Sequence, residues 1–323
     1  MSLEKVDALV VKSVDYSESS LILNVFTREM GKVRGLAKGA RRLKNPFETS
    51  LDLLASIRLS FIRKNSDALD LFTEAKLRRR FRPTTRNIRG LYAGFYVAEL
   101  LDFSTVDYEP DPDLWTLADA TLERLQFRRN VAARLAYFEA GALNSLGEFP
   151  SVRHCVDCGE ELPLERVTNL GRRVFFDVSS GGVVCSRCRA SKPHYGLTPT
   201  TIGALKVFDV SLVGSEKTLR TARTLENWRR ALEEETTGLC SIDKLEREEQ
   251  TRLAFEALDD ETLTPYESFP YEARVAYREL VEKYICQVLR RRPRSLDQLP
   301  FALARPEKPT EEQTSVEQTS EAS

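Results

Sequence analysis

The chain has 323 residues, 41% of them apolar, and a net charge of −1, which is enough material for one to three packed domains. No run approaches the ~20 consecutive apolar residues of a membrane helix, and the opening MSLEKVDALVVKSVD carries acids too early for a secretory leader. Six cysteines, four of them in two close pairs, fit a metal site in a reducing compartment better than a secreted disulfide framework, so a cytoplasmic protein is expected.

The charge is unevenly spread. Residues 1–90 hold 19 Lys+Arg against 10 Asp+Glu, a net of +9, and the remainder is therefore acidic at −10. A basic front on a nearly neutral chain points that region at a polyanion.

Residues 5–77 read as strands. Ala8 to Val11 with Val14 make the first, and Leu21 to Phe26 the second, across a polar turn at 15–20. A tight turn at Arg28-Glu29-Met30-Gly31 leads into the third. A polar loop follows, then a long β-rich run at 51–63 and a last strand at 69–77. Five strands with the longest loop after the third suit a small closed barrel such as an OB-fold over 1–80, and an SH3-like barrel fits the same pattern.

The third strand and its loop, GKVRGLAKGARRLKNP at 31–46, carry Lys32, Arg34, Lys38, Arg41, Arg42 and Lys44. Cations on a strand that runs into a Gly-containing loop form a fixed platform for phosphates. A solvated edge protected from aggregation by Lys and Arg is an equally consistent reading of the segment alone.

Pro83-Thr84-Thr85 ends the strand pattern. Ile88, Leu91, Tyr92, Phe95, Tyr96 and Leu100 then recur at helical spacing and predict one broad apolar face. Such a stripe reads as core rather than as a platform for stacking bases. Asp111-Pro112 opens a second helix, with Pro in its first turn. Val131, Leu135, Phe138, Ala142 and Leu146 stripe a third. A groove between these helices would suit a partner peptide.

Cys155-x-x-Cys158 and Cys185-x-x-Cys188 are separated by 26 residues. Each pair puts two thiolates on one turn, and two such turns supply the four sulfurs of a tetrahedral Zn²⁺ site. Gly159 permits the tight knuckle, Val174 to Phe176 read as a strand, and Gly181-Gly182 turn the chain back. With four sulfurs the site is closed and structural. Two redox dithiols are the other reading, without the βαβ surroundings they would need. Within the module at 151–196, His154 and His194 flank the cysteine cluster and are surplus to the ligand set, while Cys240 and Cys286 read as small buried residues.

The helical domain resumes at 197–295. Thr198-Pro199 starts one helix, another runs over 216–235, and the last over 271–291 with Tyr277, Leu280, Val281, Tyr284 and Val288 inward. It ends in Arg290, Arg291 and Arg292, which suit a helix C-terminus and a phosphate contact equally. Residues 306–323 are mostly Glu, Gln, Ser and Thr, without aromatics, and are expected to form a disordered acidic tail. No GxxxxGK[ST], HExxH or GxSxG motif occurs, so a binding protein is expected, not an enzyme.

Taken together, these residues resemble the RecO family of bacterial recombination mediators. The resemblance rests on ValAspAlaLeuValValLysSer at 6–13, GlyLysValArgGlyLeuAlaLysGlyAlaArgArg at 31–42 and CysValAspCysGly at 155–159. GlyGlyValValCysSerArgCys at 181–188 and LeuThrPro at 197–199 complete it. It spans about residues 1–292 and leaves the tail outside. It implies an α+β protein with an N-terminal OB-fold, a helical domain and an inserted four-cysteine zinc module. It further implies DNA repair by homologous recombination. Members bind single- and double-stranded DNA and anneal complementary strands without ATP. They engage the C-terminal tail of the single-stranded-DNA-binding protein SSB, and act with RecR to load RecA at the nucleoid. By motif, Lys38, Arg41 and Arg42 would touch the DNA backbone, with Lys32 and Arg34 as weaker contributors. The SSB contacts would lie in the helical domain. A zinc-ribbon and OB-fold factor that binds RNA, and a protein adaptor with an incidental basic patch, are the alternatives.

Overall fold

The computed structural model describes residues 2–42, 44–47, 50–64, 68–83, 87–126, 131–162, 174–191, 195–197 and 271–299. The expected helices beginning at 198 and 216, the tail at 306–323, His194 and Cys240 lie outside them.

Five strands close into a barrel in the order β1-β2-β3-β5-β4. They are β1 (Ser2–Asp15), β2 (Leu21–Thr27), β3 (Gly31–Ala37), β4 (Ser56–Arg63) and β5 (Asp70–Arg79). All neighbours are antiparallel except β3 and β5, which run parallel and complete the closure. Alternation places Val6, Ala8, Val10, Leu23, Val25, Val33, Ile57, Leu59, Phe61 and Phe72 in one interior cluster. A bulge between Val10 and Lys12 bends β1 so that one strand serves both β4 and β2.

The expected strand run at 51–63 is shorter than its composition suggests: β4 starts only at Ser56. Leu54 takes a positive φ of 66° and its amide reaches the Val10 carbonyl at 2.7 Å. Leu51 and Leu54 are buried in different clusters, so this stretch plugs the junction between barrel and helices rather than extending a strand.

The helical body contains α1 (Ile88–Ser104), α2 (Pro112–Leu125), α3 (Val131–Ser145) and α4 (Tyr271–Leu289). Asn87 caps α1 through Gly90 N, and Asp111 caps α2 through Leu114 N with Pro112 behind it. The buried face of α1 is rotated from the predicted one. Ile88 is exposed, Leu91, Tyr92 and Phe95 are half-buried, and Ala93, Tyr96, Val97, Ala98, Leu100 and Leu101 are buried. Small residues decide this rotation: a Cβ on Gly90 would lie 2.1 Å from the Leu125 carbonyl oxygen. Close backbone approach, not side-chain size, therefore selects the inward face. On α4, Tyr277, Leu280, Val281 and Tyr284 are buried and Val288 is half-buried. Among the described residues no helix is long and apolar enough to cross a membrane.

Inside this body the Glu139 carboxylate of α3 is fully buried and paired with the Arg278 guanidinium of α4, which also lies 5.5 Å from the centre of the Tyr96 ring of α1. Removing one member of such a pair strands the other charge. We expect Arg278→Met to lower stability by about 3–5 kcal/mol, read as a fall in the urea midpoint; an unchanged midpoint would show that the pair carries no stability.

Candidate nucleic-acid interface and metal centre

The basic residues of the barrel fall into two groups. The first faces the helical body. Lys32, on the outer side of β3, donates to the carbonyl oxygens of Asp102 at 2.9 Å and Thr105 at 2.6 Å, and lies 3.7 Å from the Asp107 carboxylate. Its ammonium thus meets the unsatisfied carbonyls at the C-terminal end of α1, where a cation is favoured. Asp102 also accepts from Asn24 at 2.6 Å and from Lys12 at 3.3 Å. Arg79 pairs with Asp119 of α2, and Arg58 and Arg78 both pair with Asp7 of β1. Much of the amino-terminal positive charge is therefore committed to internal partners.

The second group lies on the outer face of β3 and along the rim loop that follows it. Arg34, Lys38, Arg42 and Lys44 are exposed and have no ion-pair partner among the described residues. Arg41 is also exposed and pairs with Asp15. The loop carrying them is pinned to the β1–β2 turn: Arg41 N donates to Ser19 O at 3.0 Å, and Gly39 N to Ser20 Oγ at 3.2 Å. Gly39 holds φ at 72°, a conformation an L-residue avoids, and the Arg42 side chain lies across it. The cations are thus fixed by backbone. Across the rim, Tyr108 donates to Asp70 and sits 4.2 Å below the Arg63 guanidinium, and burial with that Asp70 contact pushes its hydroxyl well above the usual tyrosine range.

The structure separates the five basic residues singled out from sequence. Lys38, Arg41 and Arg42 share the rim loop, Arg34 stands exposed on β3 between that loop and Lys32, and Lys32 is turned to the end of α1. Sequence reasoning passed over Tyr16, which stands exposed in the β1–β2 turn beside Asp15. Its signal was an aromatic in an otherwise polar turn. The arginines ending α4 are also mostly committed: Arg292 pairs with Glu282 and Asp297, and Arg291 lies 3.4 Å over the Phe103 ring.

The four expected cysteines meet. Their sulfurs all lie within 4.8 Å of one another, with Cys158 and Cys185 3.8 Å apart. A metal–sulfur bond of about 2.3 Å in a tetrahedron requires a sulfur separation of about 3.8 Å. The cluster therefore has the geometry to hold a metal ion. Gly159 N donates back to Cys155 O at 2.8 Å and takes a φ of 72°, closing the first knuckle. A three-stranded sheet supports it, β6 (Val174–Asp177) lying between β7 (Gly182–Val184) and β8 (Tyr195–Leu197). Burial opposes ionisation of Cys155, but backbone amides of Cys185, Cys158 and Asp157 outweigh it and bring the thiol down to about 6. Hydrogen bonding to the neighbouring sulfurs, Cys185 first, pushes Cys188 up to about 12. Without a cation the sulfurs compete for protons, and a dication removes that competition. His154 is exposed and outside the cluster, and Cys286 is half-buried in α4.

The module is docked, not appended. Tyr284 of α4 donates to Glu148 O at 2.8 Å and meets Phe176 edge-on at 6.0 Å. A Cβ on Gly181 would come 2.6 Å from the Tyr284 hydroxyl.

A closed barrel braced on a helical body with a four-cysteine module makes this an α+β protein with a potential metal centre. The family described as Recombination protein O N terminal matches residues 1–81, and that described as Recombination protein O C terminal matches residues 85–233. The chain is 42% identical over 187 residues to a DNA repair protein RecO of Rhodopirellula baltica, covering 58% of this chain and 67% of that protein. It is 32% identical over 188 residues to a protein of the same name from Geobacter metallireducens, covering 58% and 73% respectively. A third such protein, from Dehalococcoides mccartyi, is 26% identical over 250 residues, or 75% of this chain and 95% of that one. The chain belongs to the RecO family.

Two outcomes test these assignments. Replacing Cys155 and Cys158 together by Ser is expected to abolish stoichiometric metal and unfold the module, as seen by elemental analysis and by protease cleavage within 151–197; retained metal would show a different ligand set. Lys32→Met is expected to lower the urea midpoint, by about 1–3 kcal/mol from carbonyls left unpaired, and a midpoint equal to the parent would remove the strut.

Proposed function

We infer that the chain is a non-enzymatic DNA-binding recombination mediator of DNA repair, with the barrel rim as its DNA contact. The barrel is read as an OB-fold: its strand order and the long segment between β3 and β4 match that architecture, whose β2–β3 face and adjoining loops hold oligonucleotides. The observation that carries the reading is the fixed cluster of Arg34, Lys38, Arg42 and Lys44, exposed and free of acidic partners among the described residues. Paired cations contribute little to a polyanion site, because their field is already met. Unpaired ones release condensed counterions when they meet phosphates.

Holding strands by their phosphates leaves the base edges free. Two complementary strands brought to one rim meet with reduced mutual repulsion, which favours annealing without ATP. Arg41 is a weaker contributor because it must leave Asp15, an exposed pair of small worth. Lys32 drops out of the contact set, since its ammonium braces α1. Family membership supports partnership with SSB, RecR and RecA, and a cytoplasmic, nucleoid-associated location. Cys155, Cys158, Cys185 and Cys188 would hold Zn²⁺, which supplies cross-linking and no chemistry in a four-sulfur site.

The test is a salt titration of binding to single-stranded DNA. Lys38→Ala with Arg42→Ala is expected to lower the log–log slope by about 1.4, at ~0.7 per phosphate contact on single strands. Lys32→Met is expected to leave the slope unchanged. The same slope in the parent and the Lys38/Arg42 variant would remove the rim from the site, and tighter binding to RNA than DNA would favour the RNA-binding alternative.

A further inference from the structure

The outer face of β1, β2 and β3 is divided in two. Toward the helices, Lys12, Asn24 and Lys32 face Asp102, and the Trp115 indole donates to Phe26 O at 3.1 Å. Toward the rim nothing covers the sheet among the described residues. The next outward row there is apolar. Val14 pairs with Ile22, and Ile22 with Leu36, so three side chains lie abreast on three adjacent strands. Val14 is 48% exposed, Ile22 and Leu36 are half-buried, and none of the three belongs to the interior clusters. The row spans two strand spacings, about 10 Å.

Tyr16 lies two residues beyond Val14, in the β1–β2 turn level with Ser20, and is 63% exposed. Its turn is closed by Tyr16 N donating to Ser20 O at 3.1 Å, and Arg41 ties the neighbouring Asp15 to the basic loop. Arg34 faces outward one row toward the helices, opposite Asn24 in register, and Lys38 follows β3 on the other side. An apolar row with an exposed aromatic two residues beyond its Val14 end thus lies between Arg34 and Lys38, which have no ion-pair partner among the described residues.

We propose that Tyr16, with Val14, Ile22 and Leu36, is a stacking floor for unpaired nucleobases, while the phosphates of the same strand follow Arg34 and Lys38. This rests on the reading that the rim binds nucleic acid, and extends it from the charged backbone to the bases. Aromatic and aliphatic faces beside cations suit a single strand, which exposes base faces and phosphates together. A duplex buries its base faces and meets only the cations. The floor therefore lets the rim prefer single strands without reading sequence. Charge complementarity selects this occupant over a protein segment, because the strip is bordered by cations without partners.

The experiment measures binding of a fluorescently labelled oligothymidine and of a duplex of equal length to the full chain. Tyr16→Ala is expected to weaken single-strand binding about tenfold, from a stacking contribution of about 1–3 kcal/mol per base. Duplex affinity and the salt slope should stay as in the parent, since no charge is removed. Tyr16→Phe should keep single-strand affinity within about twofold of the parent, because the ring and not the hydroxyl stacks. Tyr16→Trp should bind normally and gain an emission that the oligonucleotide quenches. Parent-like single-strand binding by Tyr16→Ala, equal losses on both DNAs, or an unquenched tryptophan would each overturn the stacking floor while leaving the cationic rim intact. A parent chain that binds neither DNA would overturn the broader reading and the floor with it.

Discussion

The contact on which the architecture depends is the strut between β3 and the end of α1. Lys32 places one ammonium on two carbonyls of the last helical turn and beside Asp107. The chain beyond α1 then runs along β3: Tyr108 N donates to Lys32 O at 3.0 Å, and Lys32 N to Val106 O at 3.3 Å. Gly31 makes this approach possible, since a Cβ there would lie 2.0 Å from the Glu109 carbonyl oxygen. A barrel strand thereby acquires a backbone neighbour from the helical body. The two parts are joined by hydrogen bonds that need exact placement, not by apolar contact alone, so the rim keeps a set orientation to α1 and α2.

That strut also explains why a basic amino-terminal region on a nearly neutral chain is a poor guide to which cations stay unpaired. Acids of the helical body, Asp102, Asp107 and Asp119, meet Lys12, Lys32 and Arg79 of the barrel. The asymmetry of charge along the chain is in part the complementarity of two packed bodies. What remains after those pairs are formed is a smaller set at the rim, and position rather than abundance distinguishes it. The alternation of β3 makes the distinction sharp: Lys32 and Arg34 are two residues apart on the same outward face. One is covered by a helix end and the other is not.

Local signals carried far here, and their failures have a common cause. The cysteine cluster was fully legible, because ligand spacing encodes the site within two short turns. The barrel was legible from alternation, and the caps at Asp111-Pro112 from residue type. The inward face of α1 was misread because hydrophobic spacing ranks large residues, whereas Gly90 admits the Leu125 backbone and Gly94 admits the side chains of Phe81 and Leu54. Residues 51–55 resembled strand because buried leucines serve a plug as well as a sheet. The brace that Lys32 makes to α1 was not legible, because what covers a strand's outer face is a tertiary fact. The exposure of Tyr16 escaped notice for the converse reason: an aromatic in a turn has no period to betray it.

The metal module belongs to the same continuous framework. Phe176 and Val183 of its sheet are buried in the cluster that also holds Tyr96, Leu101 and Trp115 of α1 and α2. Tyr284 anchors the module to α4, Arg278 anchors α4 to Glu139 of α3, and α1 reaches the barrel through Asp102 and Lys32. Each link is a packed or hydrogen-bonded contact with little room for alternative arrangements. A metal held by the four sulfurs would compensate, in a module of three short strands, for a core too small to hold its own fold. Its contribution would then reach the helical body as a preformed surface against which α4 packs. The module is in this sense a wedge that helps set α4, and its ligands can lie far from the rim and still matter to the integrity of the body that supports it.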